Sequence, residues 1–584
     1  MRWTLSAFIA FGLWMTSCTF NPSAHELRAI DEPIYAHAVV ACDHPLASQA
    51  GLEMLKQGGN AVDAAVASSF ALSVVRPYSC GLGGGGFMVI HIPAAEESAA
   101  RSIALNYRET APAAVGPDYF LNLNDNSFGE SASRDGVHAV GIPGTVAGLL
   151  HALEHYGTLD RTTILAPAIR LAERGFPADK NHIKSARSLS QKLAAQPSLQ
   201  DDAEYIWTQL CHRGTIELGD TITNPAQAQA LHLIAQEGAD AFYRGKIAGA
   251  IASVMQKRNG PITKADLAGY TIRTLKPLRG CFLDREILTM PLPSSGGVTM
   301  LQILGLLERK YEQFGRPSSG TAAYIHLVTE AMKHAFADRS RFLADDAFVS
   351  VPVDALLDPK NLDELAARID RRKTYSPEHY GSSPSRATPI PEDHGTSHIS
   401  VIDENGMAVA CTETINLNYG SLVVVPGFGF VLNNEMDDFT TDPQKANAFG
   451  LTQSKNNLPA PGKRPLSSMS PTIVLENGKP VLIAGASGGP RIITGTLQAI
   501  LNCLLFDMTP GQAVAASRFH HQWRPDQLRF EPSWPNDGTR EAMQKYGHDI
   551  GVQEVVGQVQ LIRVGKQGMM AASDPRKGGK PAGY

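Results

Sequence analysis

The chain has 584 residues, of which 43% are hydrophobic and 19% charged, with a formal net charge of -5. That is an ordinary globular composition, long enough for a sizeable core. No basic block stands out and no internal repeat is visible, which argues against nucleic acid as a partner.

The first residues read as an export signal. Arg2 is a short positive region, and Thr4 to Met15 is an apolar stretch too short to span a bilayer as a stable helix. Met15-Thr16-Ser17-Cys18 then places small residues before a cysteine. A bacterial lipoprotein signal needs this arrangement, because the thiol takes the lipid. Two readings stay open: a lipoprotein signal over 1–17 with lipidated Cys18, or plain secretion with cleavage near Ala24. Seven cysteines occur, none in CxxC and none beside histidine at metal spacing, so no cysteine metal site is expected. In an oxidising compartment some of the last six could pair.

Two helices are predicted over 44–76. The first, Leu46 to Leu55, stops at Gly58-Gly59; the second is capped by Asn60, with Asp63 at its third position, and runs to Val75. Its faces are nearly all small and apolar, so it is expected to be buried. Gly81, Gly83 and Gly86 match GxGxxG formally. A dinucleotide site needs strand, glycines, then helix; here a helix precedes and a strand follows at 87–92. The glycines are therefore read as a close-packed turn. Further helices are predicted within 140–175 and over most of 183–360, including 227–236, 246–257 and 321–343. Residues 371–395 read as an exposed linker.

After 396 strands are predicted at 398–403, 407–414, 421–425, 428–432, 472–476 and 480–485, then helices at 491–506 and 510–518. That order suggests sheets covered by helices, an α+β layered domain. The hairpin around Asp403-Glu404-Asn405-Gly406 favours a three-residue loop with Gly406 left-handed, which places Thr396 opposite Thr414. Its polar face would carry Thr396, His398, Ser400, Thr412 and Thr414. Taken alone, that is the pattern of a solvated hairpin face.

Other segments change the weight of that threonine: "GGNAVDAAVA" (58–67), "GLGGGGFM" (81–88), "NYRETAP" (106–112), "VGIPGTVAGL" (140–149), "GFVLNNEMDDF" (429–439), "PGKRPLSSMSPTIV" (461–474), "GASGGPRIITGTLQAI" (485–500) and "SDPRKGGKPAGY" at the end. Together they closely resemble the gamma-glutamyltranspeptidase family, in order, from about Val39 to Tyr584. The resemblance implies a four-layer αββα N-terminal-nucleophile hydrolase, with a helical region in its large fragment, that cuts itself at Gly395-Thr396. The parts would be a large subunit, 25–395, and a small subunit, 396–584, beginning with the nucleophile. The chemistry is intelligible in itself. A threonine hydroxyl needs a base, and an N-terminal threonine carries one in its own α-amine.

By the same resemblance, Arg108 would hold a substrate α-carboxylate together with Ser467 and Ser468. Asp438 would take the α-ammonium, helped by Glu435 and Asn416. Gly488 and Gly489 would supply oxyanion-hole N–H groups, and Thr414 would position Thr396. A lid-loop tyrosine frequent in bacterial members is replaced here by Phe449. The implied activity is hydrolysis of glutathione and related γ-glutamyl compounds, with transfer of the γ-glutamyl group to water, amino acids or peptides. The resemblance implies no metal and no organic cofactor. The location implied is periplasmic or secreted. Two alternatives remain: a glutaryl or β-lactam side-chain acylase on the same framework, and a non-catalytic surface lipoprotein.

Overall fold

The computed structural model describes residues 32–96, 98–123, 132–382, 395–442, 446–451 and 454–584. Cys18 and both readings of the leader lie outside them. Residues 32–584 form one compact unit.

Two seven-stranded antiparallel sheets face one another. The first runs in the order Ala582–Gly583, Val39–Cys42, Gly395–Ile402, Ala408–Asn416, Gly85–Ile92, Arg101–Tyr107, Arg273–Leu275. The second runs Ile34–Tyr35, Gly568–Ser573, Gln558–Gly565, Lys479–Ser487, Thr472–Glu476, Arg285–Thr289, Leu278–Phe282. Apolar residues of both inner faces, among them Val39, Phe87, Ala410, Ile473 and Ile483, share a core with Ser295–Phe314, Ala322–Phe342 and Arg491–Phe506. The outer face of the first sheet, through Val40, Met88, Val401 and Val409, packs on Pro45–Lys56 and Ala61–Val75. This is the α+β sandwich of helix, sheet, sheet and helix.

The helix Ala61–Val75 is buried along its whole length, and its start is closed by the capping box that Asn60 and Asp63 form. Gly83 and Gly84 pack so tightly that a Cβ would fall 2.2 Å from the Val431 carbonyl and 2.0 Å from that of Thr414. The glycine run is thus a close-approach turn.

The hairpin closes as expected, with Gly406 at φ +84° and pairs running from Ile402 opposite Ala408 to Ser397 opposite Glu413. Two expectations are corrected. A bulge breaks the register before Thr396: Gly395 lies opposite Asn416, so Thr414 and Ile415 share the place across from Thr396. The polar face is also not solvated. It looks at the second sheet, where His398, hydrogen-bonded to Thr412, fills the space that Gly485 leaves, and Ser400 donates to the Ile483 and Gln560 carbonyls. Burial holds His398 neutral, with its pKa pushed down to about 3.

Elsewhere, strands Arg273–Leu275, Leu278–Phe282 and Arg285–Thr289 interrupt the region predicted as helical. The strands expected at 421–425 and 428–432 reduce to two isolated bridges, Val424 with Val431 and Leu432 with Gly83. Left-handed Leu422, Gly427 and Gly429 bend the chain too sharply for a ladder. The described part of the expected linker, 371–382, is docked: Thr374 N–H donates to Tyr546 and Trp523 Nε1 donates to the Pro377 carbonyl. The six cysteines from Cys42 onward are free thiols, so the pairing left open by the sequence does not form among the described residues.

Candidate active site

Thr396 sits one residue into its strand and is 4% exposed. Its Oγ1 donates to the Gly395 carbonyl oxygen at 2.6 Å and lies 3.2 Å from Thr414 Oγ1, which donates to the same oxygen at 2.6 Å. The Asn416 N–H donates to Thr414 Oγ1 at 2.8 Å, which leaves the Thr414 hydrogen for the carbonyl. The bulge makes this possible, because it turns both hydroxyls to the same peptide. A Cβ at Gly395 would fall 2.2 Å from the Asn416 carbonyl, so glycine is required there by the backbone beside it.

Three residues that sequence reasoning did not assign fix the other end of Thr396. Lys577 Nζ donates to the Thr396 carbonyl and to Ser487 Oγ, and pairs with Asp43 at 2.7 Å. Lys577 falls within "SDPRKGGKPAGY", a stretch already prominent in the sequence, but only the fold brings it to Thr396.

A cleft opens beside the threonine, lined by Arg108, Thr396, Thr414, Asn416, Glu435 and Asp438 on one side and by Phe449, Ser467, Ser468 and Gly489 on the other. Arg108 follows directly on a sheet strand, and its N–H donates to Asn106 Oδ1. Glu435 and Asp438 belong to one 3-10 turn, which Asn433 ties to the carbonyls of Gly83 and Gly141. Arg108 Nη1 donates to Glu435 Oε1, and Nη2 donates to Asp438 Oδ2 at 2.5 Å. Asn416, left-handed at φ +73°, donates from its side chain to the Asn434 carbonyl and so joins the hairpin to that turn.

Burial dominates the electrostatics. It pushes Glu435 well above, and Asp438 above, the usual carboxylate range, with Arg108 pulling the other way on both. Burial also opposes the charge of Arg108, but Glu435, Asp438 and Glu109 outweigh it and the guanidinium is held protonated. Glu109, buried next to Arg108, is raised to about 7 by burial.

Gly488 and Gly489 follow strand Lys479–Ser487 at φ +124° and +58° and lead into helix Arg491–Phe506. These are backbone conformations open to glycine. Gly489 is covered by Phe449: a Cβ there would lie 2.4 Å from Phe449 Cδ1. Of the described residues of 440–463, Phe449 and Leu451 line the cleft. Asn447 Nδ2 donates to Asp438 Oδ1, and Asn457 Nδ2 donates to the Asp438 carbonyl. The structure therefore brings every expected site residue from 108 to 489 into one place.

Among the described residues one group could hold a metal ion, His326, Glu330 and His548. It shares no residue with the cleft. His326 and His548 are hydrogen-bonded to each other, and Glu330 accepts from Thr374 and Tyr380.

The fold is that of an N-terminal-nucleophile hydrolase. The Gamma-glutamyltranspeptidase family pattern matches residues 47–584. The chain is 38% identical over 583 residues to the glutathione hydrolase proenzyme of Escherichia coli (strain K12), covering 99% of this chain and 97% of that protein. Among solved structures, cephalosporin acylase from Bacillus halodurans superposes with a TM-score of 0.82 at 26% identity, covering 97% of this chain and 99% of that one. A chain of Helicobacter pylori gamma-glutamyltranspeptidase superposes at 0.51 with 36% identity, covering 57% of this chain and 91% of its own. This chain belongs to the gamma-glutamyltranspeptidase family.

Proposed function

We propose that the protein is made as one chain, cuts itself between Gly395 and Thr396, and then uses Thr396 to hydrolyse glutathione and related γ-glutamyl amides or to transfer their γ-glutamyl group to amino acids or peptides. The carrying observation is the threonine hydroxyl beside the Gly395 carbonyl, in a cleft that also holds Arg108, Glu435 and Asp438. In the first step Thr396 Oγ1 attacks the Gly395 carbonyl carbon, and the acyl group moves from nitrogen to oxygen. Water cleaves the ester and leaves Thr396 with a free α-amine. That amine, titrating near neutrality in model peptides, takes the hydroxyl proton in each later turnover.

The substrate end follows from charge. Arg108 pairs with two carboxylates in the cleft. A zwitterionic α-amino acid head can enter that ion cluster without changing its net charge. Its carboxylate goes to Arg108, Ser467 and Ser468, and its ammonium goes to Asp438 and Glu435. Gly488 and Gly489 offer backbone N–H groups to the oxyanion at the γ-carbonyl, a contribution of several kcal/mol where such donors are measured. The curated relative's name supports glutathione as the compound to test first.

The acylase reading draws on the whole-chain likeness to cephalosporin acylase. A glutaryl amide has no ammonium, however, and would leave Asp438 and Glu435 with no cation from the substrate. Export is proposed from the leader, with Cys18 as the lipid attachment point. Mass spectrometry of the mature N-terminus decides it, and a chain starting beyond Cys18 excludes the lipid. The functional test is an assay of purified protein on glutathione, with and without a dipeptide acceptor. Release of glutamate without acceptor, and of a γ-glutamyl dipeptide with it, is the expected result. No turnover of glutathione, with cleavage of glutaryl amides, overturns the reading in favour of the acylase.

A further inference from the structure

Behind the serine pair stands a second arginine. Arg339 lies near the end of helix Ala322–Phe342 and is 1% exposed. Its Nη2 donates to Ser468 Oγ at 3.2 Å, and its Nε donates to Ser295 Oγ at 2.8 Å. Ser295 Oγ in turn donates to the Ser467 carbonyl at 2.5 Å, and Ser295 N–H donates to the same oxygen. One guanidinium thus braces both serines, the first through its side chain and the second through its backbone.

Its charge is poorly compensated. Among the described residues no carboxylate lies within ion-pair distance of it, and its buried Nη1 has no hydrogen-bond partner. Arg108, by contrast, is saturated by Glu435 and Asp438. Burial lowers the Arg339 pKa to about 10, opposed only by the more distant Asp438. Leaving a buried cation without a counter-ion is costly unless something arrives to complete it. The hydrogen count says where. Ser468 Oγ accepts from Arg339, so its single hydrogen is free to point into the cleft that Ser468 lines. A hydroxyl that accepts from a guanidinium is a stronger donor, and its natural partner is an anion.

We infer that Arg339 is a positioning residue for the substrate carboxylate: it polarises and orients Ser468, holds the Ser467 backbone through Ser295, and supplies the positive field that Arg108, already neutralised, does not. This rests on the γ-glutamyl reading above. It specifies which cation the carboxylate of the substrate responds to.

The test compares Arg339→Gln with wild type on γ-glutamyl-p-nitroanilide and on 4-aminobutyryl-p-nitroanilide, which keeps the ammonium and lacks the carboxylate. The second compound is read by KM, or by inhibition constant if turnover is slow. The expected result is a rise in KM of about tenfold or more for the γ-glutamyl compound, with kcat within about threefold and the aminobutyryl constant within about twofold. Separation of the variant into two fragments reports that it has folded. If the glutamine variant stays uncut, Arg339→Lys carries the test. Lysine keeps the charge but cannot fork to both serines, and a smaller, still carboxylate-dependent rise in KM is expected. Equal losses on both compounds, or a fall in kcat with KM unchanged, overturn the inference. Failure of wild type to use γ-glutamyl-p-nitroanilide would instead overturn the parent reading.

Discussion

Thr396 Oγ1 and Thr414 Oγ1 lie 3.2 Å apart, and each donates to the Gly395 carbonyl oxygen at 2.6 Å. The pair makes Thr414 a donor to the oxygen on which charge develops when Gly395 is attacked. Thr414→Ala removes that donor and leaves the nucleophile in place. Losing one such donor typically costs about 100- to 1000-fold in rate. The variant should accumulate as an uncut chain that matures slowly, followed by gel electrophoresis over time. Maturation at the wild-type rate would remove Thr414 from the mechanism.

Asp438→Asn keeps the shape of the turn and removes one carboxylate from the ion cluster around Arg108. Self-cleavage should be largely spared, because Asp438 makes no hydrogen bond to Gly395 or Thr396. Catalytic efficiency, kcat/KM, on glutathione should fall by an amount equivalent to about 2–5 kcal/mol, as for loss of a desolvated charge partner. Near-normal glutathione kinetics would contradict the assignment of Asp438 to the ammonium.

Described residues of 440–463 are tied to the turn beneath them. Asn447 and Asn457 bond Asp438, and Phe449 rests on Gly489. We expect the segment to act as a lid that opens for substrate and closes over it. Phe449→Tyr adds a hydroxyl at the cleft without disturbing those contacts, and should shift KM more than kcat. Cutting out Pro443–Ala460 is the harsher test, since it also removes the Asn447 and Asn457 hydrogen bonds to Asp438. It should leave cleavage at Thr396 intact, weaken glutathione selectivity and admit bulkier amides. A deletion variant that keeps its glutathione kinetics and still rejects bulky glutaryl amides would contradict the lid.

Glu413, next to Thr414, is wholly enclosed, and burial pushes its carboxyl up to about 7. The unfolded chain ionises near the ordinary value of 4.5. Between those two pH values the folded protein holds a proton that the unfolded chain has lost, so this group's contribution to stability falls as pH rises through the window. Glu413→Gln mimics the protonated form and removes the penalty. In a Thr396→Ala background, which keeps the chain whole, the variant should gain about 2–3 kcal/mol relative to its parent on going from pH 5 to pH 8. Denaturant unfolding at the two pH values measures it, and a pH-independent difference would refute the burial argument.

Strong local signals were read well from sequence. Helix Lys246–Lys257 and helix Arg491–Phe506 fall where periodicity puts them, and Asn60 caps as its capping box requires. The strands over 273–289 were missed because they are short, carry charges and do not alternate cleanly; Arg273–Leu275 and Leu278–Phe282 are edge strands, where charge is common. The register of the hairpin was legible from Asp403 and Gly406, but the bulge between Gly395 and Ser397 was not, because no residue pattern in the strand marks the extra residue. At the site, resemblance supplied Arg108 and Asp438, 330 positions apart, which no local pattern could have joined. Arg339 and Lys577 carry no local sequence signal that sets them apart from other cations. Only the fold shows one against Ser468 and the other on the Thr396 carbonyl.

The most direct test of the central claim is the intact mass and N-terminal sequence of the purified protein. Two chains are predicted, the smaller of 189 residues, about 20 kDa, beginning with Thr396. Thr396→Ala should remain one chain and be inactive on glutathione. A small fragment with any other first residue, or an active chain that stays uncut, would contradict the account.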